Sequence, residues 1–169
     1  MSLPRSLKNF NVFLDGVSHM GVATVVTLPK LARTMEAHRG GGMNGGVHVD
    51  LGSEPLEMTH TYAGHVDEVY KAFGTSKADG VLIRFAGAYQ RDDTGEVDAV
   101  EVTIRGRHQE IDPGNSEAGS KTELKVKTYC SYYKLTRNGN VLVEIDHQNF
   151  VEMIGGTDRL AEQRTALGF

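Results

Sequence analysis

Two runs decide the fold: Thr122-Glu123-Leu124-Lys125-Val126-Lys127-Thr128-Tyr129-Cys130 and Asn138-Gly139-Asn140-Val141-Leu142-Val143-Glu144-Ile145-Asp146. In the first, Thr122, Leu124, Val126, Thr128 and Cys130 alternate with Lys121, Glu123, Lys125 and Lys127. In the second, Val141, Val143 and Ile145 alternate with Glu144 and Asp146. A two-residue period puts one face of a strand in a core and the other against water. Asn138-Gly139-Asn140 is the strongest kind of short hairpin signal, so the chain turns back at that point.

The same period extends outward. Val81, Ile83, Phe85 and Tyr89 share a face opposite Arg84 and Gln90, and Val100, Val102 and Ile104 alternate with Glu101, Thr103, Arg105 and Arg107. The turn former Asp92-Asp93-Thr94-Gly95 joins these two. Apolar parity switches near Ala99-Val100, which predicts a β-bulge there. Gly106 to Ser120 is rich in Gly, Asp, Asn and Ser and reads as a long polar hairpin tip. Shorter strands are expected at Asn11–Leu14, Gly21–Leu28, Val47–Leu51 and Leu56–Tyr62.

Helical spacing occurs in two places. Val66, Val69, Tyr70 and Phe73 gather on one face, with Asp67 and Glu68 in the first turn and Gly74 as a stop. A second helix is expected from Thr157, as its cap, to Leu167, closed by Gly168. Leu31, Met35 and His38 make Lys30–Arg39 a third candidate. The predicted architecture is mainly β: residues 1–169 as one domain of two packed antiparallel sheets, sandwich- or barrel-like, with a flanking α-helix and a short C-terminal helix.

Composition narrows the function. The chain has 169 residues, a net charge of −4 and a single cysteine, Cys130. No intrachain disulfide is possible, which suits a reducing compartment. Neither a secretory signal nor an apolar run of about 20 residues is present, so no membrane anchor is expected. Residues 1–45 sum to +3, from Arg5, Lys8, Lys30, Arg33 and Arg39 against Asp15 and Glu36, and the remainder to −7. Such asymmetry suits an acidic partner, including a second copy.

No group of residues composes an active site, and no cofactor or metal is expected. The loop His38-Arg39-Gly40-Gly41-Gly42-Met43-Asn44-Gly45-Gly46 lacks the Gly-Lys-Ser/Thr ending and following helix of a phosphate cradle. It reads instead as a segment, Arg39 to Gly46, that moulds itself to a neighbouring subunit. The seven histidines form no metal-ligand pattern. Cys130 has core parity and is expected to be inert, and Tyr132 also has core parity. Glu144 and Asp146 share a strand face and could be an acid–base pair only in a polar cleft. The rival readings are a small β-sandwich hydrolase or isomerase resting on that pair and the histidines, and a monomeric binding module.

Two blocks resemble the tail tube proteins of contractile-tailed phages and phage-tail-like bacteriocins. One runs Leu28-Pro29-Lys30-Leu31 through Glu36, Arg39-Gly40-Gly41-Gly42-Met43 and Val47-His48-Val49-Asp50-Leu51-Gly52. The other runs Cys130-Ser131-Tyr132-Tyr133-Lys134-Leu135 through Gly139 and Val143-Glu144-Ile145-Asp146 to Gly156-Thr157-Asp158-Arg159-Leu160 and Ala166-Leu167-Gly168. Leu3-Pro4-Arg5 and Phe10-Asn11-Val12-Phe13 look like the family's start. His147-Gln148-Asn149-Phe150 is more polar than that pattern suggests.

The resemblance implies a non-enzymatic subunit of the virion tail, made and assembled in the bacterial host. It implies hexameric rings stacked into a hollow tube, with sheath, baseplate or spike, and terminator as partners. DNA would pass through the lumen without specific binding. A type VI secretion-like tube shares this design. A lumen that lets a polyanion slide should not be rich in Lys and Arg. The sheet with a net acidic outward face is therefore expected to line it, with Glu144 and Asp146 the best candidates.

Overall fold

The computed structural model describes residues 1–169. Strands β1 (Arg5–Leu14), β2 (Val17–Ser18), β3 (Ala23–Thr27), β4 (Arg33–His38), β5 (Val47–Ser53) and β6 (Leu56–Tyr62) precede a six-residue helix, α1 (Asp67–Ala72). The long strands β7 (Val81–Arg91), β8 (Val97–Asp112) and β9 (Leu124–Arg137) follow. Then come β10 (Asn140–Asp146), β11 (Val151–Ile154), β12 (Thr157–Asp158) and α2 (Ala161–Leu167). The fold is mainly β, with two antiparallel sheets and two short helices, as the alternation predicts.

Ten strands form one hydrogen-bonded sheet, eight of them along the path β12-β11-β10-β9-β8-β7-β1-β2, with β6 and β3 branching from β9. β9 is the spine. One edge pairs with β8 along most of its length. The other serves β6 through Leu124–Cys130 and β10 through Tyr132–Arg137. Side chains from both branches meet in one core that includes Val12, Ile83, Phe85, Ile104, Tyr133 and Ile145 with Leu56, Met58, Tyr62, Val69 and Val126. The second sheet is the β4–β5 hairpin alone.

No bulge lies at Ala99-Val100; the β8–β9 ladder is interrupted instead at Ser131 of β9 and at Gln109 of β8. Arg105 pairs with Tyr132 and Gly106 with Cys130, leaving Ser131 over, while β7 and β8 pair without interruption through Ala99 and Val100. The extra residue flips the inward parity of β9 from Leu124, Val126 and Thr128 to Tyr133. Tyr132 consequently points outward, against its expected core parity. Gly106 faces the bulge, and a Cβ there would overlap the carbonyl oxygen of Tyr129. The apparent switch on β8 arises because Asp98 occupies a core-facing position at 3% exposure, leaving Val97 and Ala99 outside. Arg5 (2.6 Å), Arg137 and Asn138 (3.0 Å) surround its carboxylate. These donors hold it below the usual carboxylate range, Asn138 having the largest effect.

Other boundaries moved. β8 continues to Asp112, so the polar tip is shorter than expected. Lys30–Arg39 contains strand β4, not a helix. Val66 and Val69 of the first helical pattern are buried, but Tyr70 and Phe73 stand exposed. Thr157 caps nothing. It pairs with Ile154 across Gly155-Gly156, whose φ values of 58° and 84° suit a tight hairpin turn, and α2 starts only at Ala161. The Asn138-Gly139 turn forms as predicted, with φ 50° and 81° and Arg137 paired to Asn140.

A candidate assembly surface

The β4–β5 hairpin is two strands with almost no buried residue. Pairing of Glu36 with Val49 and His38 with Val47 puts the β5 aliphatics on one face of it. Val47, Val49 and Leu51 are 58%, 45% and 58% exposed. An isolated two-stranded hairpin is marginal in water, and a row of exposed aliphatics on it adds surface that gains from being covered.

The glycine-rich loop is the tip of this hairpin, joining His38 to Val47. A turn gives it form: the Met43 amide donates to Gly40 O (3.2 Å), Arg39 Nε donates to Met43 O (3.1 Å), and Gly42 has φ 83°. Arg39, Gly41, Gly42, Asn44, Gly45 and Gly46 are exposed, and Gly40 and Met43 are half-buried.

At the hairpin root, Arg33 Nε donates to Asp50 (2.8 Å) and Arg33 Nη1 to Glu152 of β11 (2.8 and 3.0 Å). Asp50 lies below the usual carboxylate range, first because it accepts the Gly52 amide and next because of Arg33. The root, the turn after β10 and α2 enclose a cleft of about 370 Å³ whose lining includes Leu51, Phe150, Val151 and Leu160. Phe150 has φ 54°, rare for a bulky residue. Arg164 donates to its carbonyl (2.8 Å) and Phe169 stacks on its ring. Sequence reading missed this bridge: Arg33 and Glu152 lie in separate segments with no local signal between them.

Glu144 and Asp146 lie on the outward face of β10. Glu144 accepts the Tyr132 hydroxyl (2.9 Å), whose phenol is pushed up to about 12, chiefly by burial and then by this bond. Asp146 accepts the amides of Gln148 (3.0 Å) and Asn149 (3.1 Å) and the Asn149 side chain (2.6 Å). That capping role explains the polar His147–Asn149 stretch. The expected charge criterion does not choose between faces. The long face carries Arg84, Arg105 and Lys134 against Glu101, Glu144 and Asp146. The face shared by β6, lower β9 and lower β8 carries Arg107, Lys125 and Lys127 against Glu57, Glu110 and Asp112.

The remaining candidates for chemistry are not brought together. Cys130 is buried, its thiol pushed up to about 12 by desolvation, whereas His147 is exposed. His65 bonds Tyr70 (2.8 Å), and no three His, Cys, Asp or Glu side chains converge as a metal site. No helix is long and apolar enough to cross a membrane.

Comparison with known proteins identifies the family. The chain is 50% identical over 171 residues to the tail tube protein of Escherichia phage P2, covering 99% of both chains. It is 37% identical over 153 residues to the major tail tube protein of Serratia phage KSP20, covering 89% of this chain and 88% of that one. Two solved structures share the fold at TM-score 0.60. One, of an extracellular contractile injection system's PVC sheath/tube terminator in the extended state, is 9% identical and covers 79% of this chain and 96% of its own. The other, of the PVC sheath-tube complex in the extended state, is 10% identical and covers 79% and 91%. Residues 4–168 match the family model for phage tail tube protein FII, and the chain belongs to that family of structural, non-enzymatic virion tail proteins.

Proposed function

We propose that this tail tube subunit closes into hexameric rings that stack into a hollow tube, with the β4–β5 hairpin and its Arg39–Gly46 tip as a contact between copies. The observation that carries this is the hairpin itself, whose Val47, Val49 and Leu51 each stand about half exposed in a single subunit. A ring joins unlike surfaces of identical subunits, a heterologous contact, and a projecting arm supplies one half of such a pair. Sheath and terminator are the proposed outer and end partners, supported by the likeness to proteins from a sheath-tube complex and a terminator. A baseplate or spike is proposed at the other end.

The lumen is proposed to be walled by the outward face of β1, β7, β8, upper β9 and β10. Support comes from its breadth: one row runs Phe13, Arg84, Thr103, Lys134, Glu144 and Met153 across six strands. Glu144 and Asp146 on this wall are held by Tyr132 and by the turn, and carboxylates give DNA phosphates nothing to bind.

Negative-stain microscopy of the purified chain tests the assembly, with Val49→Lys as the comparison. Rings or tubes are expected from the parent and single subunits from the variant. A parent that stays monomeric at high concentration, or a variant that assembles normally, would overturn the hairpin contact. Hydrogen exchange at Arg39–Gly46 should slow on assembly, because ordering a glycine tip must be offset by contacts; equal protection in both states would remove the tip from the interface.

A further inference from the structure

We propose that His60, Thr128 and His108 form an acid-sensitive lock holding the β3–β6 branch against the long sheet. β6 is attached to the body through β9 on one edge and carries β3 on the other. At its centre His60 is fully buried. His60 Nδ1 lies 2.7 Å from Tyr62 Oη and His60 Nε2 lies 3.0 Å from Thr128 Oγ1. Thr128 Oγ1 is in turn 2.8 Å from His108 Nδ1, so one threonine joins imidazoles from β6 and β8. A third imidazole, His19, meets the edge of Tyr62, and its Nε2 is buried without a partner.

Proton accounting makes this cluster conditional on both bonded rings being neutral. Tyr62, His60 and Thr128 then each give one proton along the chain, and His108 Nδ1 accepts the last. All three bonds and the Tyr62 hydroxyl proton are satisfied together only in the direction from Tyr62 to His108, since the reverse direction makes Tyr62 an acceptor and leaves its proton without a partner. A second proton on His60 makes both its nitrogens donors, and one on His108 Nδ1 reverses the chain. Tyr62 must then accept, and its own hydroxyl proton loses its partner in the core, at a cost set by desolvation. The groups facing the cluster give little compensation. They are Tyr62 on β6, Cys130 on β9, His19 after β2, and Asp15 in the β1–β2 turn, the one carboxylate whose field favours a charged His108. His60 faces His108, which opposes its protonation.

The direction of the effect follows. Burial, and then His108, holds His60 at about 3, while burial holds His108 at about 4 against the pull of Asp15. Both lie below the ordinary value of about 6.5, so their stabilisation is complete above that pH and is lost as pH falls toward the folded-state values. At pH 5 each histidine raises the unfolding constant about 30-fold, and the pair about 1,000-fold. Carboxylates titrate mostly below this window.

Urea unfolding of the full-length chain at pH 8, 7, 6 and 5, with His108→Gln alongside, reads the linkage. Wild type should show the 1,000-fold rise, and the variant about 30-fold less. A flat wild-type profile, or a variant with the wild-type rise, would overturn the lock. Native-state hydrogen exchange of wild type, corrected for intrinsic rates, locates the opening and decides the matter even if the variant does not fold. Amides of β6 should lose protection at pH 5 before those of β1 and β7. Simultaneous loss would reduce the effect to global unfolding and defeat the proposal.

Discussion

Arg33 of β4 donates to Glu152 of β11 at 2.8 Å, so the arm that projects from the body is tied to it by a charge pair distant in sequence. Glu152 is mostly buried while Arg33 is one-third exposed, and solvent screening leaves the pair worth about 1 kcal/mol or less. Glu152→Gln should therefore barely move the urea midpoint. Its effect should concentrate in the arm, where amide exchange in β4 and β5 rises several-fold while β7 and β8 stay protected. Unchanged exchange in the arm would show that the pair does not fix its position.

Gly106 is the position least able to accept a side chain. A Cβ would strike backbone, the Tyr129 carbonyl at the β9 bulge, and backbone cannot swing aside as a flexible side chain does. Gly106→Ala should cost upward of about 4 kcal/mol, the range reserved for severe steric lesions. Thermal unfolding checks it, and a variant within about 1 kcal/mol of wild type would mean that the bulge relocates at little cost.

Cys130 should be silent in the folded subunit. With its thiol pushed up to about 12, the thiolate fraction at pH 8 is about one part in ten thousand, and burial excludes reagents as well. Labelling by a thiol reagent should be slow in native buffer and complete in urea. Fast native labelling would show frequent opening of β9.

The strands that border the core were legible because burial on one face imposes the two-residue period. β4 lacked that signal: its residues are exposed on both faces, so Leu31, Met35 and His38 fell into helical spacing without forming a helix. The bulge was misplaced because Asp98 was taken as outward, and a buried carboxylate becomes readable only when Arg5, Arg137 and Asn138 come together from other segments. Gly155-Gly156 hid a second hairpin that took Thr157 from the helix. The glycine tip was legible as a loop lacking packing side chains. Its arm was not, since nothing local links Arg33 to Glu152.

The lumen assignment can be separated from the fold by replacing the two carboxylates differently. Asp146 caps a turn, and lysine there would discard acceptors for the Gln148 and Asn149 amides, so Asp146→Asn, which keeps an acceptor oxygen for those amides, removes the charge at the cost of the bond from the Asn149 side chain. Glu144 bonds only the Tyr132 hydroxyl among side chains, so Glu144→Lys reverses charge at the cost of one partly buried hydrogen bond, about 1 kcal/mol. The double variant shifts the wall by three charges per subunit toward positive. In the proposed six-subunit ring that becomes a belt of cations repeated at every layer, and phosphate contacts accumulate along DNA with each counterion released. Tubes should still form, while genome delivery by assembled particles slows or stops, most strongly at low salt. Intact tubes with delivery at the parental rate at every salt concentration would place both residues outside the lumen.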